Sequence, residues 1–188
     1  IESTRSLALG SSEDPHTFIG PVIDKDAQTR IQKYIEIGKG EGATLAFQNT
    51  VNETRGYFVP PTIFTDVEPK SRLAQEEIFG PVLSVIKAKN LQHALDIAND
   101  TDFALTGAFY SRSPANIEIV KKQFNVGNLY INRGSTGALV WRHPFGGFKL
   151  SGGGSKTGGP DYLIQFMDPK VTTENTMRRG FAPEEPKV

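Results

Sequence analysis

Three stretches of this chain repeat apolar residues at helical spacing, and short apolar runs lie between them. This alternation limits the fold more than any other feature. In the first stretch, residues 26–39, Ala27, Ile31, Tyr34 and Ile35 share one face, and Gly38 and Gly40 suit its end. In the second, residues 90–99, Leu91, Ala94, Leu95 and Ala98 give the i, i+3, i+4, i+7 pattern behind Asn90, a good N-cap. The third opens at Ser113-Pro114, a cap followed by proline at the first helical position, and Ile117, Val120 and Phe124 line one face. Residues 44–47, 62–64, 82–86, 108–110 and 129–132 read as strands. Strands alternating with helices predict βαβ units. The expected fold is therefore α/β, with a Rossmann-like, largely parallel sheet and flanking helices. The helical periodicities themselves report core packing, not chemistry.

A length of 188 residues suits one domain, or one domain with an appendage. The C-terminal end breaks the pattern. Residues 162–166 and 171–176 read as strands without a helix, which predicts a β arm able to pair with another chain. Beyond them Pro183, Glu184, Glu185, Pro186 and Lys187 make a polar terminus expected to fray.

Composition narrows the function classes. Lys plus Arg is 21 and Asp plus Glu is 21, so the formal net charge is zero. With no basic block, a nucleic-acid partner is not expected. No stretch approaches the ~20 apolar residues of a membrane span. Ile1, Glu2 and Arg5 do not resemble a signal peptide, and the missing initiator suggests a processed chain or a part of a longer one. There is no cysteine, which excludes disulfides, thiolate metal sites and a cysteine nucleophile within these residues. His143 has no other candidate ligand nearby, so no metal site is expected.

Ten of the 19 glycines fall between Gly127 and Gly159, marking irregular or closely approached backbone. Three segments invite a chemical reading. In Gln75-Glu76-Glu77-Ile78-Phe79-Gly80-Pro81, a carboxylate can accept both hydroxyls of a ribose while a neighbouring ring packs on a flat heterocycle. The same segment also reads as an ordinary loop leading into a strand. In Asn132-Arg133-Gly134-Ser135-Thr136-Gly137-Ala138, small residues directly follow a strand, and their amides and hydroxyl can hold a small anion. A plain connection fits these residues equally well. In His143-Pro144-Phe145-Gly146-Gly147-Phe148-Lys149-Leu150-Ser151-Gly152, two rings flank two glycines. Gly152-Gly153-Gly154-Ser155-Lys156-Thr157 lacks the spacing of a P-loop.

Glu76-Glu77-Ile78-Phe79-Gly80-Pro81-Val82 resembles the signature segment of the NAD(P)-dependent aldehyde dehydrogenase superfamily. Residues 144–152 resemble a later motif of that superfamily. Gly20-Pro21-Val22-Ile23 and Gly56-Tyr57-Phe58-Val59-Pro60-Pro61-Thr62 match two more, in order. The resemblance runs from residue 1 to about 176. Ser135-Thr136-Gly137-Ala138-Leu139-Val140 and Lys156-Thr157-Gly158-Gly159-Pro160-Asp161-Tyr162 are similar to the Δ1-pyrroline-5-carboxylate dehydrogenase branch. Residues 174–183 resemble bifunctional proline-utilisation enzymes, which add a proline dehydrogenase domain upstream.

This resemblance implies oxidation of L-glutamate γ-semialdehyde to L-glutamate with NAD, in a cytoplasmic homo-oligomer. Family members attack the aldehyde with a cysteine thiolate, pass hydride to NAD and hydrolyse the thioester with help from a glutamate base. The resemblance places that cysteine, that glutamate and the N-terminal cofactor domain ahead of residue 1. Residues 1–160 then correspond to part of the catalytic domain and 161–188 to oligomerisation strands and a polar tail. No catalytic residue is expected within the chain, and the chain alone should be inactive. By resemblance Glu77 binds the nicotinamide ribose and Phe79 packs beside the nicotinamide. Gly137 and Ala138 anchor the substrate carboxylate with Ser135 near them, and Phe145 shapes the aldehyde tunnel. Lys149 receives no role. An aldehyde dehydrogenase of other specificity, or a non-catalytic binding domain, would share most of these residues.

Overall fold

A computed structural model describes residues 1–51 and 55–176. The chain opens with one helical turn, α1 (Glu2–Arg5), and enters the long helix α2 (Lys25–Gly40). Asp24 caps α2, its Oδ1 accepting from the Ala27 amide at 2.7 Å. The buried face of α2 carries Ala27, Ile31, Ile35 and Gly38, as the period predicts. It lies over a sheet of β1 (Thr44–Gln48), β2 (Thr62–Thr65) and β3 (Val82–Ser84). The short helix α3 (Arg72–Gln75) connects β2 to β3. Ile31, Ile35, Val59, Phe64, Val67, Leu73 and Ile78 form the core between helix and sheet. Each such side chain contributes roughly 1.5–3 kcal/mol by leaving water.

The second half repeats the alternation. Helix α4 (Leu91–Asn99) is capped by Asn90, and α5 (Pro114–Gln123) by Ser113. Strands β4 (Phe103–Ala104), β5 (Thr106–Phe109), β6 (Asn128–Ile131) and β7 (Phe148–Lys149) complete the set. β5, α5 and β6 form a βαβ unit with parallel pairing, Thr106 opposite Asn128 through Phe109 opposite Ile131. β2 and β3 also pair in parallel.

The α/β class holds, with parallel pairing in β2–β3 and β5–β6, and two details differ from the expectation. The strands do not join into one largely parallel sheet among the described residues. They form three small sheets, and β1–β2 and β4–β7 are antiparallel. The C-terminal β arm is not formed: Ile164–Phe166 is a 3-10 turn, and residues 171–176 carry no strand. The reason is local. Tyr162 and Phe166 meet edge to face with centroids 5.4 Å apart, a contact a helical turn permits. A strand, by contrast, needs a neighbouring edge, and none of the described strands lies alongside these residues. The resemblance drawn at 174–183 falls largely on 177–188, outside the described residues.

Motifs distant in sequence meet in space. Val22 bridges Tyr57, joining the 20–23 and 56–62 segments. Phe145 bridges Thr157, each amide donating to the other's carbonyl at 2.9 Å, so the 144–152 segment lies against residues 156–159.

Candidate active site

β6 ends at Ile131, and Asn132 then takes φ +55°. The Asn132 side chain stabilises this turn by bonding Ser111 twice, Oδ1 accepting from its amide at 2.8 Å and Nδ2 donating to its carbonyl at 3.0 Å. The chain leaves the sheet here, at the carboxyl end of a parallel strand, where open α/β sheets bind ligands. A cavity of about 430 Å³ lies beside this loop. Ser135, Gly137, Ala138 and Phe145 all line it, together with Tyr130, His143 and Thr157.

Residues 135–138 present their backbone amides freely: no hydrogen bond among the described residues engages any of them. Arg133 braces the loop instead. Its guanidinium lies over the Tyr130 ring, 5.3 Å from the centroid, and donates to the Thr136 carbonyl at 3.2 Å. No acidic residue lines the cavity. Free amides with a nearby guanidinium and no carboxylate suit a small anion.

Phe145 is held from three sides. The Asn128 amide group donates to the Pro144 carbonyl at 2.9 Å and accepts from the Gly146 amide at 3.1 Å, bracketing the residue between them. Thr157 pairs with its backbone, and Lys156 Nζ donates to the Gly146 carbonyl at 2.7 Å. Gly127 is packed so tightly here that a Cβ would lie 1.9 Å from the Gly146 carbonyl oxygen. Lys149, left without a role by the sequence, closes the far end of this segment. Its ammonium donates to the carbonyls of Asn99 and Thr101, both at 2.6 Å, tying the segment to the end of α4.

Glu77 and Phe79 do not line this cavity; they lie on the segment entering β3. The acid pair there divides. Glu76 is engaged by Arg72, whose Nε and Nη2 both donate at 2.8 Å, and by the Tyr34 hydroxyl. These bonds, Arg72 first and Tyr34 second, hold the Glu76 carboxyl down to about 2. Glu77 is exposed and takes part in no hydrogen bond or ion pair among the described residues. Phe79 is 73% exposed and sits at φ +52°, unusual for a ring-bearing residue. A free carboxylate with two acceptor oxygens fits a ribose diol, and an exposed ring one residue beyond fits a flat heterocycle. These residues therefore suit a nicotinamide riboside group. Among the described residues no cluster of His, Asp and Glu suits a metal ion.

Sequence reasoning missed Tyr130, Asn128 and Arg133. Tyr130 is only 7% exposed, and its hydroxyl has no partner among the described residues. Alternation along β6 points to Tyr130 as an inward residue, but its place on the cavity wall depends on tertiary packing.

A parallel βαβ unit with a cleft beyond its second strand is the arrangement of a Rossmann-like α/β protein. The chain belongs to the aldehyde dehydrogenase family, whose model matches residues 1–172. It is 52% identical over 174 residues to 1-pyrroline-5-carboxylate dehydrogenase of Bacillus subtilis, covering 93% of this chain and 34% of that protein. The chain thus spans about a third of the length of the curated relatives it matches. Among solved structures it is similar to proline utilization A from Bdellovibrio bacteriovorus inactivated by N-propargylglycine. That match has 57% identity and a TM-score of 0.90, and covers 98% of this chain and 19% of that one. It is also similar to 1-pyrroline-5-carboxylate dehydrogenase from Thermus with bound NAD, at 48% identity and a TM-score of 0.84, covering 89% of this chain and 32% of that one. No helix among the described residues is long and apolar enough to cross a membrane.

Proposed function

We propose that this chain supplies the substrate-carboxylate site and the nicotinamide-ribose contact of an NAD-dependent dehydrogenase. The enzyme oxidises L-glutamate γ-semialdehyde, the open form of Δ1-pyrroline-5-carboxylate, to L-glutamate in proline breakdown. The observation that carries this reading is the row of unengaged amides at residues 135–138 beside a cavity free of acidic groups. The reacting end of the semialdehyde is uncharged, whereas its far end bears a carboxylate. A site that prefers it over simple aldehydes must grip that far end. Amides of Gly137 and Ala138 do so through charge-assisted hydrogen bonds, worth roughly 1.5–3 kcal/mol each. Ser135 lies on the same cavity wall to add a hydroxyl, and Phe145 packs on the carbon chain between the two ends.

Glu77 receives the ribose and Phe79 the nicotinamide face. NAD accepts the hydride when bound. The thiol that attacks the aldehyde must come from outside these residues, since they hold no cysteine. Residues 1–160 act as part of the catalytic domain, with the cofactor domain preceding them in the intact enzyme. Residues 161–188 act as oligomerisation strands and a polar tail, the strands forming when a partner's sheet edge is present. The exposure of Leu163, Ile164, Phe166, Met167 and Val171 supports a homo-oligomer in which a second chain covers them. The likeness to proline utilization A supports a bifunctional parent, which we place in the cytoplasm. The test is turnover. A full-length protein carrying this chain reduces NAD with glutamate semialdehyde at a kcat/KM at least about 10²-fold above that for butanal, the equivalent of two carboxylate bonds. The 188-residue chain alone forms no NADH. Equal activity on both aldehydes, or turnover by the isolated chain, contradicts the reading.

A further inference from the structure

The segment that carries Glu77 and Phe79 is extended at its start, with Glu76 at φ −106°, ψ 150°. Successive side chains of an extended segment point to opposite sides. Residues 76, 78 and 80 each contact helix α2. Tyr34 donates its hydroxyl to Glu76, while Arg72 chelates the same carboxylate. The Arg72 guanidinium also lies over the Tyr34 ring, 5.5 Å from its centroid. Arg30 Nη1 donates to the Ile78 carbonyl at 2.8 Å, and the Ile78 side chain is buried in the core. Gly80 rests directly on Ile31, where a Cβ would lie 2.7–2.8 Å from three of its side-chain carbons. Arg30, Ile31 and Tyr34 lie within one turn of a single helix.

Residues 77 and 79, by contrast, are exposed, and neither takes part in a hydrogen bond with α2 among the described residues. Phe79 also keeps a left-handed backbone that persists only where its surroundings enforce it. The Arg30 bond to the preceding carbonyl is one such enforcement. We propose that α2 is a positioning device for the cofactor, in which Arg30 and Tyr34 lock the backbone of residues 76–80 so that Glu77 and Phe79 are presented in the geometry a nicotinamide riboside requires. This rests on the reading of Glu77 as the ribose acid and adds two positioning residues that touch no cofactor themselves. The paired acids then have separate tasks: Glu76 is the anchor and Glu77 the ligand. Glu76 is held ionised well below neutral pH, so the anchor does not loosen under ordinary conditions.

The test uses the full-length protein carrying this chain. Variants are Arg30→Met, Arg30→Lys and Tyr34→Phe, with Glu77→Gln as the ligand control and Lys33→Met as a control on an exposed position of the same helix. NADH affinity is read by fluorescence titration without substrate, and KM is measured separately for NAD and for the semialdehyde. Arg30→Met should weaken NADH binding by about tenfold, the loss of one hydrogen bond from a charged donor. KM for NAD should rise in parallel, while KM for the semialdehyde stays within about twofold. Arg30→Lys should recover part of the loss, Tyr34→Phe should weaken NADH by roughly threefold, and Lys33→Met should change nothing. Wild-type NADH affinity in both Arg30→Met and Tyr34→Phe, alongside weakened binding in Glu77→Gln, overturns the bracket and leaves the ribose assignment standing. Unchanged affinity in Glu77→Gln overturns both. If Arg30→Met fails to fold, Tyr34→Phe, which removes a single oxygen, still decides the matter.

Discussion

Gly137 is the residue on which the proposed specificity depends most. Its φ of +81° lies where side chains are strained, and a Cβ there would point toward Arg133 Nη2 at 3.6 Å. A valine would strain the backbone of a loop whose amides are unengaged among the described residues. In the full-length protein, Gly137→Val should lower kcat/KM for glutamate semialdehyde by about 10²-fold or more, while activity on butanal falls far less. Steady-state kinetics on both aldehydes checks this, and equal losses would mark the loop as a structural turn. Ser135, Gly137, Ala138 and Phe145 sit in contiguous motifs, which is why the sequence singles them out, and all four line one cavity. Asn128 and Arg133 were not legible there, because their value lies in what they reach. One brackets Phe145 from across the loop, and the other braces Thr136 from below.

At the scale of elements, caps and apolar periods located the helices closely. Asn90 and Ser113 both cap as expected, their side chains accepting from the amides of His93 and Asn116. Strand limits were less legible. The strand read at 108–110 runs instead from Thr106, because Gly107, a poor strand former, makes room for the Phe124 ring, which a Cβ would meet at 2.5 Å. The strand read at 82–86 stops at Ser84. Asp66, at φ +54°, turns β2's continuation aside, though Val85 still donates to Phe64. The C-terminal run carries no strand in the single chain, because an apolar run cannot announce whether a partner edge exists. Packing between elements also sets the position of Phe145. Gly127→Ala would force the start of β6 and the 144–148 segment apart, since backbone rather than a flexible side chain occupies the space. The expected cost is about 1–3 kcal/mol or more, seen as a thermal midpoint several degrees lower in the full-length protein. An unchanged midpoint would show that the approach between these segments is not tight.

At the scale of the whole molecule, two sites sit on two different parts of the chain. The cavity proposed for the carboxylate follows β6, and Glu77, the proposed ribose acid, precedes β3. Neither can complete a reaction without a nucleophile, and none of the 188 residues is cysteine. The family was legible because its motifs are contiguous, whereas what packs against those motifs from other chains or domains is written in no contiguous run. Exposed apolar side chains such as Trp141, Leu163 and Phe166 reflect surfaces whose neighbours no single-chain pattern specifies. The central claim, that the loop after β6 holds the carboxylate of an amino-acid aldehyde, is tested most directly by a crystal structure of the full-length protein with L-glutamate, the product. The account predicts the α-carboxylate within hydrogen-bond distance, about 2.7–3.2 Å, of the Gly137 and Ala138 amides, with the carbon chain running past Phe145. Glutamate bound elsewhere, or bound here with those amides unengaged, would contradict it.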